Sequence, residues 1–298
     1  MTDMRVQYLF DSHFDRLKRA AEKEAIILEF LRDEIYSSAE VLALLLDVGK
    51  QAAQVTLRRM AAKGLVVKDE VPVLVSKRTI PIWGITFEGV MTGLDPHRIA
   101  TESLRHHKVG SAKLSTLGHT LGVQRCRSWW QGNEFRSVRV SDWTVENRLP
   151  SHDLPGNDHR RWKKYPDAYM RFLPDSEEFG SYEPDWVLPE REGVNLQEIM
   201  EQRGFGIAIE VELTRKSLGR YATIIAEHLH NIRQNRYHFV WYYCKNSVDA
   251  KSYQQLFIRL AIKDKIHFSD SIANTVLTPT GTIEHFFQFW SLETMKRI

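Results

Sequence analysis

The sequence predicts a chain of α/β class, α+β overall, built as two domains: a small helical domain ending in short strands, then a larger domain in which strands alternate with helices. Three observations lead there. The chain has 298 residues, a length that suits two ordinary domains better than one. Its front third carries three helix signals in a row and then a run of short strand signals. Its rear carries Ile/Val-rich strand patterns separated by amphipathic helix patterns, which is how an α/β domain reads.

Hydrophobic residues make up 43% and charged residues 27%, enough for each half to bury a core. No stretch reaches the roughly 18–20 uninterrupted apolar residues that span a bilayer, and MTDMRVQYLFDSHFDR has no signal-peptide h-region. The two cysteines, Cys126 and Cys244, form no CxxC, which argues for a reducing compartment and against structural zinc. The expectation is a cytoplasmic protein without membrane insertion. The net charge of +3 is too small to indicate a nucleic-acid partner. Its distribution is more telling. Residues 1–49 hold six Lys/Arg against ten Asp/Glu, whereas residues 50–78 hold seven against two.

In the front domain, Leu17, Ala21, Ala25, Leu28 and Leu31 recur at helical spacing over 14–33. A second helix starts at Ser37, with Glu40 completing a capping box, and Gly49 ends it. A third runs over about 50–63 and stops at Gly64. Ala53, Leu57 and Met60 share its inner face, which turns Lys50, Gln51, Gln54, Arg58 and Arg59 outward. LVVKDE, VPVLVSKR and IPIWGIT follow as short strands. Helix, helix, turn, helix, wing is the winged helix-turn-helix order. It would place the third helix in a DNA major groove and Lys77 and Arg78 of the wing on the backbone. A protein-binding winged helix is the alternative. The pattern loosens over 98–112, which predicts domains at 1–105 and 113–298.

In the rear domain, KLSTLGHTLGVQRCRSWW reads as an amphipathic helix over 113–130, and SDWTVENRL brings Glu146. AYMRFL (168–173), YEPDWVL (182–188), GFGIAIEVEL (204–213) and YHFVWYYC (237–244) read as strands. LGRYATIIAEHLHNIRQ and about 250–262 read as helices. In IAIEVEL, Glu210 and Glu212 point the same way, because strand side chains alternate. Paired carboxylates resist burial. Either that face is exposed at a sheet edge, or a cation neutralises it. Mg²⁺ suits one or two carboxylates completed by water and phosphate oxygens. Asp185 is placed to converge on the same ion, and Lys216, four residues past Glu212, to meet a phosphate or the attacking water.

These residues resemble the PD-(D/E)XK nuclease core: Pro184-Asp185, then Glu210-x-Glu212 and a nearby lysine. With EVELTRKSLGRY, the Trp143-x-x-Glu146 element and the winged helix in front, the chain is similar to the MobC-type mobilisation relaxases, related to the replication-relaxation proteins of plasmids. The resemblance implies a restriction-endonuclease-like mixed sheet and Mg²⁺- or Mn²⁺-dependent nicking. The DNA would be a plasmid origin of transfer, and a further partner the coupling protein of a type IV secretion system. It assigns Asp185 and Glu210 as metal ligands and Glu146 as an additional acid from the first helical element. Glu212 occupies the usual lysine position, so Lys216 has to replace that lysine. A second match, Pro166-Asp167, is flanked by Arg160, Arg161, Lys163 and Lys164, candidate phosphate contacts. Asp185 is preferred on the expectation that its strand directly precedes the Glu210 strand in a hairpin, which leaves Asp167 in a turn. A double-strand endonuclease of restriction or transposition, or a non-enzymatic transcription or replication regulator on a decayed nuclease fold, are the alternatives.

Other signals point elsewhere. His228-Leu229-His230 falls in a helix, where residues two apart lie about 200° around the axis and cannot chelate together. His106-His107 falls in the expected linker and reads as solvated, and His119 as a core or boundary histidine. Trp129-Trp130 could stack on exposed bases.

Overall fold

The computed structural model describes residues 13–73, 78–95, 97, 104–132, 138–145, 164–174, 205–234, 236–270 and 275–298. The chain divides into two compact units, Met1–Gly132 and Asn133–Ile298.

In the first unit the order is α1 (His13–Glu34), β1 (Tyr36–Ser37), α2 (Ala39–Leu45), α3 (Lys50–Ala62), β2 (Val66–Pro72), β3 (Thr79–Ile85), α4 (Phe87–Met91) and α5 (Leu114–Gly132). The three strands form an antiparallel sheet in the order β1-β3-β2. Ser38, not Ser37, caps α2, accepting the Val41 N–H at 3.3 Å. Gly49 is the N-cap of α3 rather than the end of α2. Gly64, at φ +75°, follows α3 in the left-handed conformation that glycine adopts without strain. The core joins Ile27, Leu28, Phe30 and Leu31 of α1 to Leu42, Leu57, Met60, Trp83 and Ile85. Ala53, Leu57 and Met60 face inward as their spacing predicts. The stripe expected on α1 is displaced: Leu17, Ala21 and Ala25 are exposed, and the buried face starts at Glu24.

The boundary expected near 98–112 lies at 132/133 instead. Side chains of α5 bind it to the first unit. Gln124 accepts the Ser37 hydroxyl at 2.7 Å and donates to the Tyr36 carbonyl at 2.7 Å. Arg127 pairs with Glu34 and Asp33, each at 2.8 Å, and Leu117 packs on Val71 and Ile82. His107, expected to be solvated, is buried: its Nε2 lies 2.8 Å from Asp69 Oδ2. Asp69 also accepts the Gly110 N–H, and these bonds hold its carboxyl below the ordinary range against the opposing effect of burial. A Cβ on Gly84 would meet the His107 ring at 2.2 Å, so only glycine admits this contact.

The second unit orders β4 (Val138–Val145), β5 (Ala168–Pro174), β6 (Phe205–Glu212), α6 (Leu218–Arg233), β7 (Phe239–Cys244), α7 (Ser247–Lys263), β8 (Phe268–Asp270), β9 (Thr275–Leu277), α8 (Pro279–Phe286), β10 (Phe287–Ser291) and β11 (Lys296–Arg297). Its main sheet runs β11-β10-β7-β6-β5-β4. β4, β5 and β6 pair antiparallel; β6, β7 and β10 pair parallel, with α6 crossing between the first two. Helices α6 and α7 cover one face, burying Tyr221, Ile225, Leu229 and Phe257 against Ala208, Val240 and Tyr242. This is a mixed α/β architecture. Among the described residues, no helix is long and apolar enough to cross a membrane.

Candidate active site

Glu210 and Glu212 lie at the C-terminal end of β6. The strand is central, with β5 on one edge and β7 on the other, so the glutamates are not on an exposed sheet edge. Both are buried, at 5% and 3% exposure. In register, Glu210 meets Tyr242 and Glu212 meets Cys244 on the face that packs against α6 and α7. An isolated buried carboxylate costs several kcal/mol, so each needs a partner.

Two lysines supply them. Lys164 pairs with Glu210 Oε1, and Lys216 reaches back across the turn after β6 to Glu212 Oε2. Tyr242 Oη lies 3.5 Å from the same Glu212 oxygen. His228 Nε2 stands 3.3 Å from Glu210 Oε1, off the line of a full hydrogen bond. Burial by itself would raise the Glu210 carboxyl; the Lys164 charge, with His228, outweighs it and holds the group down to about 2. Burial pushes the His228 imidazole below its usual range despite Glu210, and pushes the Tyr242 and Tyr237 phenols up, so both phenols keep their protons.

The strand beside β6 corrects the sequence expectation. The antiparallel partner of β6 is β5, which begins after Pro166-Asp167, with Ala168 opposite Ile209. One residue further along that ladder, Asp167 comes level with Glu210. Its Oδ2 accepts the Val211 N–H at 2.7 Å. Both edges of β6 are therefore taken, and the topological reason for preferring Asp185 fails. Asp185 itself lies outside the described residues, as do Glu146, Lys77, Arg160, Arg161 and Lys163. The segment before Glu146 is a strand, β4, as SDWTVENRL itself reads, and not the helical element that the resemblance implies; its last residue, Val145, pairs with Ala168.

The site thus brings together Asp167, Glu210, Glu212 and Lys216, and adds Lys164 and His228. The sequence points Lys164 toward phosphate and gives His228, two residues from His230 on a helix, no part in chelation. The pattern held a signal for His228. Together with Asn231 it interrupts the buried face of α6 formed by Tyr221, Ile224, Ile225, Leu229 and Ile232, and polar residues buried there require polar partners on the sheet.

Among the described residues, no group of three or more His, Cys, Asp or Glu side chains is arranged to hold a metal ion. The donors that fit a divalent cation best are Asp167 and Glu210. These are two hard carboxylates, a set that Mg²⁺ or Mn²⁺ completes with water and phosphate oxygens.

On the first unit, the outward residues of α3 separate into two kinds. Lys50 pairs with Glu40 of α2. Arg59 is turned toward α1, where it binds Glu24 at 2.7 Å and the Ala20 carbonyl at 3.3 Å; Lys63 shares Glu24 at 2.7 Å. Arg59 therefore bonds to α1 while its side chain remains 41% exposed. Gln51, Val55 and Arg58 form the exposed stripe, with Gln54 half-buried beside it. Arg78 opens the approach to β3. Comparison of the chain with protein-family models, with curated proteins and with solved structures finds no match.

Proposed function

We propose that this chain binds DNA through its first unit and hydrolyses a DNA phosphodiester with a divalent cation in its second, as a nickase. On this reading α1–β1–α2–α3–β2–β3 is a winged helix-turn-helix, and β4–β5–β6–α6–β7 is a PD-(D/E)XK-like core. The observation that carries it is the placement of Asp167 level with Glu210 across the antiparallel β5–β6 pair. A helical crossover from β6 leads to the parallel strand β7.

Asp167 and Glu210 are the metal ligands on this reading. A bound Mg²⁺ or Mn²⁺ would polarise the phosphodiester and acidify a water molecule. The chain's own residues do the rest. Lys164 keeps Glu210 ionised within the buried site. Lys216, whose ammonium is on the more exposed side of its ion pair at 41%, is the group positioned to leave Glu212 for a phosphate oxygen. The most specific form of the proposal is a MobC-type mobilisation relaxase acting at a plasmid origin of transfer, with a type IV secretion coupling protein as partner.

A second reading has a specific observation in its favour. Both buried glutamates are already neutralised by lysines, so the fold needs no cation to tolerate them, and a non-enzymatic DNA-binding regulator accounts for the same contacts. Incubation with supercoiled plasmid and Mn²⁺ separates the readings. The proposal expects open circles that EDTA abolishes and Glu210→Gln loses by at least a hundredfold. Linear product would indicate a double-strand endonuclease. No cleavage, with DNA binding intact, would favour the regulator.

A further inference from the structure

His228, Asn231, Arg236 and Tyr237 form a chain of buried polar groups behind Glu210, and the direction of each bond can be deduced. Arg236 has only donors. Its Nη1 donates to Asn231 Oδ1 at 3.0 Å, which fixes the orientation of that amide. Asn231 Nδ2 must then be the nitrogen that reaches the Lys164 carbonyl at 2.8 Å and the Tyr237 hydroxyl oxygen at 3.0 Å. Tyr237 Oη lies 2.7 Å from His228 Nδ1. With its oxygen accepting from Asn231, the phenol directs its proton to Nδ1.

The other side of the imidazole gives the same answer. Nε2 faces a carboxylate oxygen at 3.3 Å, and a lone pair there would be repelled. His228 and Asn231 are both 0% exposed, and no solvent competes for these bonds.

We infer that His228 is a positioning residue for Glu210, locked as the Nε2–H tautomer by the Arg236–Asn231–Tyr237 chain. Both of its consequences concern the carboxylate. Lys164 and His228 converge on Oε1, whereas Oε2 is bonded to no described residue. The arrangement therefore presents one defined oxygen to an incoming divalent cation. Asn231 also holds the Lys164 main chain, so a single face of α6 sets both partners of Glu210. The presentation of Oε2 to a cation rests on the function proposed above; the tautomer does not.

The test uses the full chain with ¹⁵N-labelled histidine. The nitrogen shifts of His228 should show Nε2 protonated and Nδ1 bare. A protonated Nδ1, either as the other tautomer or as imidazolium, overturns the inference without any variant being needed. Direct Mn²⁺ titration then tests positioning. His228→Leu should weaken Mn²⁺ affinity by about 10–100-fold, as loss of an outer-shell partner does. His228→Gln, whose amide N–H can still meet Oε1, should recover most of it, and Tyr237→Phe should fall between. Wild-type binding that His228→Leu leaves unchanged overturns positioning and spares the metal reading. A wild type that binds no Mn²⁺ overturns both the metal reading and the Oε2 role, and the tautomer is still decided by the nitrogen shifts.

Discussion

Glu210 shows how a single buried charge is made tolerable, and its protonation gives a sign that can be checked. Its carboxyl is held at about 2 in the fold, against an ordinary value of 4.5. A depressed folded value means that its stabilising contribution is complete above pH 4.5 and is lost as pH falls toward 2. Lys164→Met removes the dominant cation and leaves burial, which raises the folded value. The sign then reverses: the variant should gain stability on acidification from pH 7 to 5, where the wild type is flat with respect to this group. Urea unfolding midpoints across that range decide it. Parallel pH profiles for the two proteins would mean that Lys164 does not hold the charge.

At the scale of elements, α3 divides its outward residues between an exposed stripe and contacts with α1, and the proposed DNA contact belongs to the stripe. Arg58 and Arg59 are neighbours in sequence, yet a 100° step turns one to solvent and the other to Glu24 of α1. Arg58→Ala should weaken DNA binding and reduce the salt slope by about one counterion-equivalent, with little change in melting temperature. Arg59→Ala should cost about 1 kcal/mol of stability, since it breaks a partly buried pair, and should leave the salt slope unchanged. Equal losses of affinity from both would contradict this division.

The elements that could be recognised from sequence were those with a strong period of their own. β6, α6, β7 and α7 announce themselves by alternating or helical burial, and α3 by its inner triad. What the pattern could not convey was association. The amphipathic stripe of α5 fits either unit; only Gln124, Arg127 and Leu117 meeting partners in α1, β1 and the small sheet decide it. Strand pairing is likewise non-local. AYMRFL and YEPDWVL both look like strands, and nothing within either says which lies against β6. His107 fell in a segment without a period, so its pairing with Asp69, 38 residues away, left no local trace. The C-terminal segment, in which β10 pairs parallel with β7, has too short a strand run to stand out.

The whole molecule comprises two compact units, Met1–Gly132 and Asn133–Ile298. The first has a basic helix with an exposed stripe, and the second a sheet whose central strand ends in two buried acids answered by two lysines. If DNA recognition and strand cleavage are divided in this way, they are separable by mutation. Arg58→Ala should raise the DNA concentration needed for nicking without lowering the saturated rate, and Glu210→Gln should do the reverse. Gel-shift affinity and single-turnover nicking at saturating DNA distinguish the two effects. A single variant that abolished both with the fold intact would argue against the division.

A site built on Asp167 opposite Glu210 can be checked by comparing nicking rates of Asp167→Asn and Asp185→Asn on supercoiled plasmid with Mn²⁺. Removing a hard-cation ligand that serves in the transition state should cost several kcal/mol, or about a hundredfold to a thousandfold in rate. Asp167→Asn should show that loss, and Asp185→Asn should nick at nearly the wild-type rate. Full activity in Asp167→Asn together with loss in Asp185→Asn would mean that the site is built on Asp185 instead.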